Sequence, residues 1–397
     1  MAPPETFTDP AAEVAALKAA AIAEVDRRAE ALVQVSHDIW EHPELGFEEH
    51  HAHDLLCDVL EAEGLAPTRH AYGLDTAFEA SAGGEGPVVG IMCEYDALPE
   101  IGHACGHNVI AAAGLGAGLA AAAVAREAGG RVRILGTPAE EGGGGKVFML
   151  RRGALDGLSA AMMVHPADHD LPSMHCIAIQ QLEVEYSGRA AHAAAAPQRG
   201  RNALDAAVLG YVNVAALRQH IRPDERIHGI FTRAGDKPNI VPHDAAALWY
   251  VRSADLHSLE ELKGRVLQAL EAGALASGCT MAHDWRDPAY ADLVADEWLL
   301  ARYAANAAAL GRPLSEASTV VGSTDMGNVS HVVASIHPMI AVAPPGVGIH
   351  TPAFAEHARG PAGDAAVLDG AKALACTAID VWAAAPARST SPGAAAL

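Results

Sequence analysis

Aromatic side chains and basic charge are both scarce in this chain. Only 5% of its 397 residues are Phe, Trp or Tyr, and 27 Lys and Arg face 49 Asp and Glu, a formal charge of −22. Such an acid excess repels phosphate backbones and anionic bilayers, so nucleic acid and membrane are not expected as partners. It serves solubility and is compatible with neutral or cationic small substrates. The opening MAPPETFTDP has no basic segment leading into an apolar block, so it does not read as a secretory leader. Also missing is an unbroken apolar run of the ~18 residues that suggest a membrane span. The nearest candidate, Val109–Val124, is rich in Ala and Gly and reads as a buried helix. Cysteines 57, 93, 105, 176, 279 and 376 lack the paired spacing of a disulfide framework. A reduced, cytoplasmic protein is the expectation.

Half of the residues are apolar, which is ample for burial. The chain is too long for one ordinary core, so two domains are expected. Residues 11–39 carry Val14, Leu17, Ala21, Val25, Leu32, Val35 and Ile39 near helical spacing, predicting one long amphipathic helix. Three short apolar runs then end in polar residues. Val88–Cys93 leads into Glu94-Tyr95-Asp96, Val132–Leu135 into the segment ending Glu140-Glu141, and Ala160–Val164 into His165-Pro166. Helical patterns at 109–126 and 146–152 separate them. This alternation predicts an α/β fold with a mostly parallel sheet sandwiched by helices. Sites in such sheets gather beyond the carboxyl ends of the strands, where these polar residues are delivered.

From about 182 to 290 the pattern changes. Residues 182–186 and 246–251 alternate like strands with one wet face, and 202–220 and 258–277 read as helices. The expectation is an inserted smaller α+β domain, 182–290, within a catalytic domain made of 1–181 and 291–397. Apolar runs at 332–338 and 340–342 predict further strands, and 363–383 a closing helix. Residues 386–397, mostly Ala, Ser and Pro, are expected to be disordered.

The sharpest chemical segment is His103-Ala-Cys105-Gly-His107-Asn108. A thiol and an imidazole one residue apart can reach one metal from a tight turn opening a helix. A helix N-terminus and a metal both favour the thiolate. Glu140-Glu141 follows a strand end and precedes four glycines, so one carboxylate can hold a metal while the other faces a water. Lys146 after those glycines does not make a phosphate loop, since Glu140 and Val147 stand where that motif needs Gly and Ser or Thr. His165 and His350 add imidazoles. Thiolate, imidazole and carboxylate together suit two divalent ions of borderline softness. A Cys105–His107 nucleophile pair is the competing chemistry, but one intervening residue makes it awkward and leaves Glu140 without a task. A catalytically silent binding protein would lack a ligand, and none is lacking.

With His42-Pro-Glu44, Tyr95-Asp-Ala-Leu-Pro99, His103–His107, Pro138-Ala-Glu-Glu-Gly142 and the late His350 in hand, the chain resembles metallopeptidase family 20 from about Ile39 to Ala385. That family includes aminoacylases, glutamate carboxypeptidases and auxin-conjugate hydrolases. Residues 188–197, Lys237-Pro-Asn-Ile240 and Gly322–His331 are most like its Xaa-Arg (β-alanyl-lysine) dipeptidase branch.

The resemblance implies two divalent ions per subunit, zinc or manganese, with cobalt and nickel also accepted in the family. Cys105 would bridge them, His107 and His165 would hold one, and Glu141 and His350 the other. Glu140 would be the general base and Asp96 an orienting group. Glu94, often Asp in the auxin-hydrolase branch, is not taken as a ligand. It further implies a homodimer through the inserted domain, which acts as a lid, with His192 reaching the partner's site as an oxyanion donor. Asn239 matches a substrate-contacting position. From their chemistry, Arg252, Arg189, Ser323, Thr324 and Asp325 are candidates for substrate termini or a cationic side chain. The expected substrate is a small dipeptide with a basic C-terminal residue; an N-acyl amino acid or aminobenzoyl-glutamate would need nearly the same catalytic groups. The cluster His50-His51-His53, which follows Glu48-Glu49 on an expected helix, reads as a solvated face.

Overall fold

The computed structural model describes residues 9–316 and 321–388. These residues form two compact units, one before Cys176 and after Asp292, the other Cys176–Asp292.

The first unit opens with α1 (Pro10–Arg27) and α2 (Ala29–Glu41), so the single long helix expected from the sequence is two. Arg28 breaks it at φ −101°, ψ 7°, and its guanidinium ties Glu24 to Glu63 at the end of α3 (His50–Ala62). The apolar stripe runs through the break because both halves cover the same core, which burial periodicity alone cannot distinguish from one helix.

Strands β1 (Thr68–Arg69), β2 (Phe78–Gly83) and β3 (Val88–Cys93) precede the nineteen-residue α4 (His107–Ala125). Then come β4 (Arg131–Gly136), α5 (Gly145–Arg151), β5 (Leu158–Met162), β6 (His165–Ala167) and the short β7 (His175–Cys176).

In the second unit β8 (Ala178–Ser187), α6 (Ala203–Leu217), β9 (Arg226–Arg233), β10 (Asp244–Ser253), α7 (Leu256–Ser277) and β11 (Thr280–Trp285) follow in order. The chain returns to the first unit through α8 (Glu297–Ala309), β12 (Val321–Gly322), α9 (Met326–Ser330), β13 (Ser335–Ile336), β14 (Met339–Ala341), α10 (Pro352–Ala358) and α11 (Pro361–Arg388).

The main sheet runs β1-β2-β4-β3-β5-β13. β3 pairs in parallel with β4 and β5, and β5 with β13; β2 is antiparallel to β4. The largely parallel sheet between helices is as expected, and the antiparallel edge was not anticipated. The run 332–338 yields only the two-residue β13. α4 is long and apolar enough to cross a membrane, but it is a core helix, with 17 of its 19 residues buried. Gly114 lets it lie on β3: a Cβ there would stand 2.5 Å from the Met92 carbonyl oxygen. The second unit is an antiparallel sheet, β11-β8-β10-β9, covered by α6 and α7, with Trp249, Tyr186 and Leu270 at its core. The tail expected to be disordered from 386 begins inside α11, which runs to Arg388; residues 389–397 lie outside the described residues.

Candidate metal centre

The ends of β3, β4 and β5 deliver three polar segments to one side of the first unit, as parallel-sheet architecture requires. Beyond β3, Asp96 is buried. One of its oxygens bonds His107 Nδ1 at 3.0 Å and the other accepts the Glu141 amide at 2.8 Å. One carboxylate therefore orients the first turn of α4 and the loop after β4 together. Burial works to raise the Asp96 carboxyl, but the His107 ring and these hydrogen bonds outweigh it and hold the group below its ordinary range.

Gly106, at φ 78°, caps α4 and has no room for a side chain; a Cβ would meet Pro166 carbons at 2.7 Å. This turn places Cys105 and His107 beside His165. Cys105 Sγ lies 3.4 Å from His165 Nε2, whose Nδ1 bonds the Pro166 carbonyl at 2.8 Å. At His165 the Nδ1 hydrogen bond leaves Nε2 as the lone-pair nitrogen, the usual arrangement of a metal-ligating histidine. At His107 burial works to lower the ring's proton affinity, but Glu94 and Asp96 outweigh it and raise it well above the ordinary value, so a cation there takes the place of a proton. After β4, Ala139 adopts φ 57°, and Gly145 packs so closely on Pro138 that a Cβ would fall 1.8 Å from its carbonyl oxygen. His350 enters from the late loop at φ 62°, its amide bonded to the Ala104 carbonyl at 2.8 Å, and its Nε2 is 3.1 Å from Glu141 Oε1.

All five residues read from the sequence as a metal cage therefore meet. Donor atoms of Cys105, His107 and His165 lie within 4.8 Å of one another, and so do those of Cys105, Glu141 and His350. Cys105 belongs to both groups. Glu140 lies beside them in a third cluster with Glu94 and His107.

The donor chemistry fits divalent ions. His107 Nε2, Glu94 Oε1 and Glu141 Oε1 are buried without a hydrogen-bond partner, a costly arrangement unless a cation takes them. Burial, reinforced by Glu94, Glu141 and Asp325, pushes the Glu140 carboxyl well above its ordinary value. Burial likewise pushes the Cys105 thiol well up, with Glu141 adding to it. The helix N-terminus expected to favour a thiolate does not overcome this, so a cation must supply that bias. His165 is pushed down to about 3 by burial, which leaves it a neutral donor.

The remaining expected site residues fall differently. Asp325, read as a substrate contact, is buried; one oxygen accepts Lys146 Nζ at 2.8 Å and the other the Lys146 amide at 2.9 Å, so it serves the interior. Thr324 is buried beside it, its hydroxyl oxygen accepting the Met326 amide, and Ser323 is half-buried.

In the second unit His192 is exposed. Its Nδ1 accepts the Ala194 and Ala195 amides at 3.3 and 3.2 Å, which leaves its proton on Nε2. Asn239 is exposed, and its carbonyl accepts the Ala193 amide. Arg252 is half-buried on β10, and Arg189 donates to the Arg199 carbonyl.

Several site groups escaped the sequence. Glu49, to which the sequence assigned no role, is fully buried; it accepts the Ala139 amide and the Thr76 hydroxyl, both at 2.7 Å. His53, read as part of a solvated face with His50 and His51, is also buried. His337 is buried with its ring 5.2 Å from that of His165, and Lys146 bonds Glu94 in the interior. A lysine after four glycines carries no signal of burial, and its partners, distant in sequence, meet it only in the folded chain.

The fold and a centre of this kind define the class: a hydrolase of α/β fold acting on peptide or amide bonds. The chain belongs to peptidase family M20/M25/M40, whose family model matches residues 90–380. It is 40% identical to the Xaa-Arg dipeptidase of Mus musculus over 96% of this chain and 92% of the relative. One component chain of the p-aminobenzoyl-glutamate hydrolase of Escherichia coli is 35% identical, over 62% of this chain and 56% of the relative. Among solved structures, a dinuclear metal binding peptidase of the M20 family from Bacillus subtilis superposes with TM-score 0.70 at 21% identity, covering 90% of this chain and 99% of that one.

Proposed function

We propose that this chain is a two-metal dipeptidase that cleaves small dipeptides ending in a basic residue. The observation that carries the two-metal reading is the pair of donor groups sharing Cys105. On this reading Cys105, His107 and His165 hold one ion, and Cys105, Glu141 and His350 the other. Zinc suits the thiolate, and manganese, cobalt or nickel would be accepted by the same mixed set. When bound, the ions supply Lewis acidity, polarising the amide carbonyl and lowering the pKa of water from roughly 15.7 to about 7.

Glu140 takes the proton of the attacking water and returns it to the departing amine nitrogen. Burial, with Glu94 and Glu141 beside it, raises its proton affinity, which favours holding the proton taken from the water until it passes to the amine. Asp96 keeps His107 Nε2 and the Glu141 loop in register. His192, with its proton on Nε2, serves as a donor to the developing oxyanion in the site of a second copy. An exposed apolar patch on α6 and the edge strand β9 supports dimerisation: Val212 is 56% exposed and Ile230 64%, and Tyr211 and Phe231 join them at 5.8 Å between rings. Six free cysteines support a reducing, cytoplasmic setting.

The mouse relative's activity favours an Xaa-Arg type of substrate. The E. coli relative favours aminobenzoyl-glutamate as the alternative. Metal-stripped protein reconstituted with zinc, manganese or cobalt should hydrolyse alanyl-arginine or β-alanyl-lysine faster than aminobenzoyl-glutamate and acylated amino acids. The reverse order would select the second reading, and no hydrolysis of any would sink both. Glu140→Gln should retain its metal while losing roughly 10²–10⁴-fold in turnover.

A further inference from the structure

A further set of metal-type side chains, sharing no residue with that centre, lies where α2 ends and α3 begins. Asp38 and His42 stand four residues apart at the end of α2, which places both on one face. His51 comes from the first turn of α3. Donor atoms of the three lie within 4.8 Å of one another. Asp38 Oδ1 is 2.5 Å from His51 Nε2 and 3.3 Å from His42 Nδ1, and the two imidazole centroids are 4.3 Å apart.

Backbone contacts hold these side chains in place. The Asp38 carbonyl accepts from His42 Nδ1 at 2.8 Å, the kind of tether that orients ligating imidazoles. The Glu44 carboxylate accepts the His51 and Ala52 amides at 2.9 and 3.1 Å, which fixes the turn carrying His51. The local field favours a cation. α2 ends here, at the negative pole of its dipole. Of the carboxylates Asp38, Glu41, Glu44 and Glu48, Glu41 pairs with the Arg359 guanidinium, and Asp38 is left to the two imidazoles. One ion pair accounts for His51 at that carboxylate. It does not account for a second imidazole at the same oxygen, one whose Nδ1 is already given to a carbonyl.

We propose that Asp38, His42 and His51 form an auxiliary divalent-metal site, independent of the two-metal centre. Two imidazoles and one carboxylate suit zinc, cobalt, nickel or copper better than magnesium or calcium, which prefer oxygen donors alone. The Asp38, His42 and His51 side chains are 33%, 54% and 42% exposed, so water fills the remaining positions and the site binds more weakly than the buried centre. An ion here clasps both ends of the loop joining α2 to α3. That loop underlies the turn bearing Glu140. A Cβ on Gly46 would stand 2.9 Å from Ala139 Cβ, and Glu49 accepts the Ala139 amide. Ala139 immediately precedes Glu140, so the ion steadies the backbone from which the base extends.

The test is metal binding by untagged, full-length protein. Stripped wild type and His51→Ala are titrated calorimetrically with Zn(II) at about pH 8, above the ordinary imidazole pKa of roughly 6.5. Bound metal is counted by elemental analysis. In His51→Ala the weakest ion of the wild type should be lost or bound at least about 10-fold more weakly, and the tighter ions should bind both proteins alike. Equal numbers bound with equal affinities would overturn the proposal and leave the three residues as an ion pair only. Failure of the two-metal reading would show separately, as fewer than two tight ions in both proteins. Should His51→Ala fail to fold, His51→Gln keeps a donor for Asp38 and should show the same loss; unchanged binding would again overturn the proposal. Hydrogen exchange checks the clasp. Raising free Zn(II) to about ten times the weak site's Kd should slow exchange of amides 44–52 roughly tenfold in wild type and leave His51→Ala unchanged. Uptake of the extra ion with unchanged exchange would overturn the clasping role.

Discussion

Glu49 shows how a single side chain can support a site it never enters. It accepts the amide of Ala139, the residue with left-handed backbone immediately before Glu140, and so fixes the turn that presents the base. Burial pushes its pKa from an ordinary 4.5 up to about 7. The folded value therefore lies above the unfolded one, so the stabilisation from protonated Glu49 is complete below about 4.5 and is lost as pH rises to about 7. Glu49→Gln cannot ionise and should escape that loss. Relative to wild type, the metal-free variant should gain stability across this window, by up to about 3.5 kcal/mol at roughly 1.4 kcal/mol per pKa unit. Urea melts at pH 4.5, 6 and 7.5 would check it, and a constant difference would show that Glu49 is already ionised in the fold. Nothing in the sequence marks this residue out. Glu48 and Glu49 are neighbours with opposite fates, one at the surface and one buried, because only Glu49 faces Thr76 and the β4 loop. The metal-type residues were legible because Cys, His and paired Glu at strand ends are uncommon; their supports, Glu49, Lys146 and Asp325, are ordinary charged residues whose roles appear only in three dimensions.

At the scale of elements, the strands that deliver the site were readable, since β3, β4 and β5 are short apolar runs stopped by polar residues. Elements without that signature were not. β2 mixes Glu79 and Ser81 with small residues, and the 332–338 run buries Val333 outside any strand and Ile336 in the two-residue β13. The α4 turn is where element and site are most tightly joined. Gly106→Ala would force a Cβ onto Pro166 and place a side chain at φ 78°. The strain should cost on the order of 1–3 kcal/mol. It should also displace Cys105 and His107, which flank it. A lowered melting temperature together with weakened Co(II) binding is expected. A variant that loses stability but binds both ions normally would show that the turn tolerates the shift without moving its donors.

At the scale of the whole molecule, the question is whether one copy is sufficient. The exposed patch on α6 and β9 is apolar in a chain whose charge is −22, so it cannot be explained as a solubilising face. An edge strand with Ile230 and Phe231 exposed invites pairing with its own image, because a twofold axis lets one surface meet itself. Ile230→Lys should therefore shift sedimentation toward the monomer. If the dimer also shares its centres, two inactive proteins should complement. Co-expressed His192→Ala and Glu140→Gln chains would form mixed dimers in which one centre has both groups intact. With random pairing, half the dimers are mixed and half their centres are competent, giving about a quarter of wild-type activity. Each variant alone should remain far below that. If isolated mixed dimers, carrying a different tag on each chain, were no more active than the parents, His192 would act within its own chain or not at all. In that case the loss of activity in Ile230→Lys, if any, would have to be traced to the inserted unit's own stability.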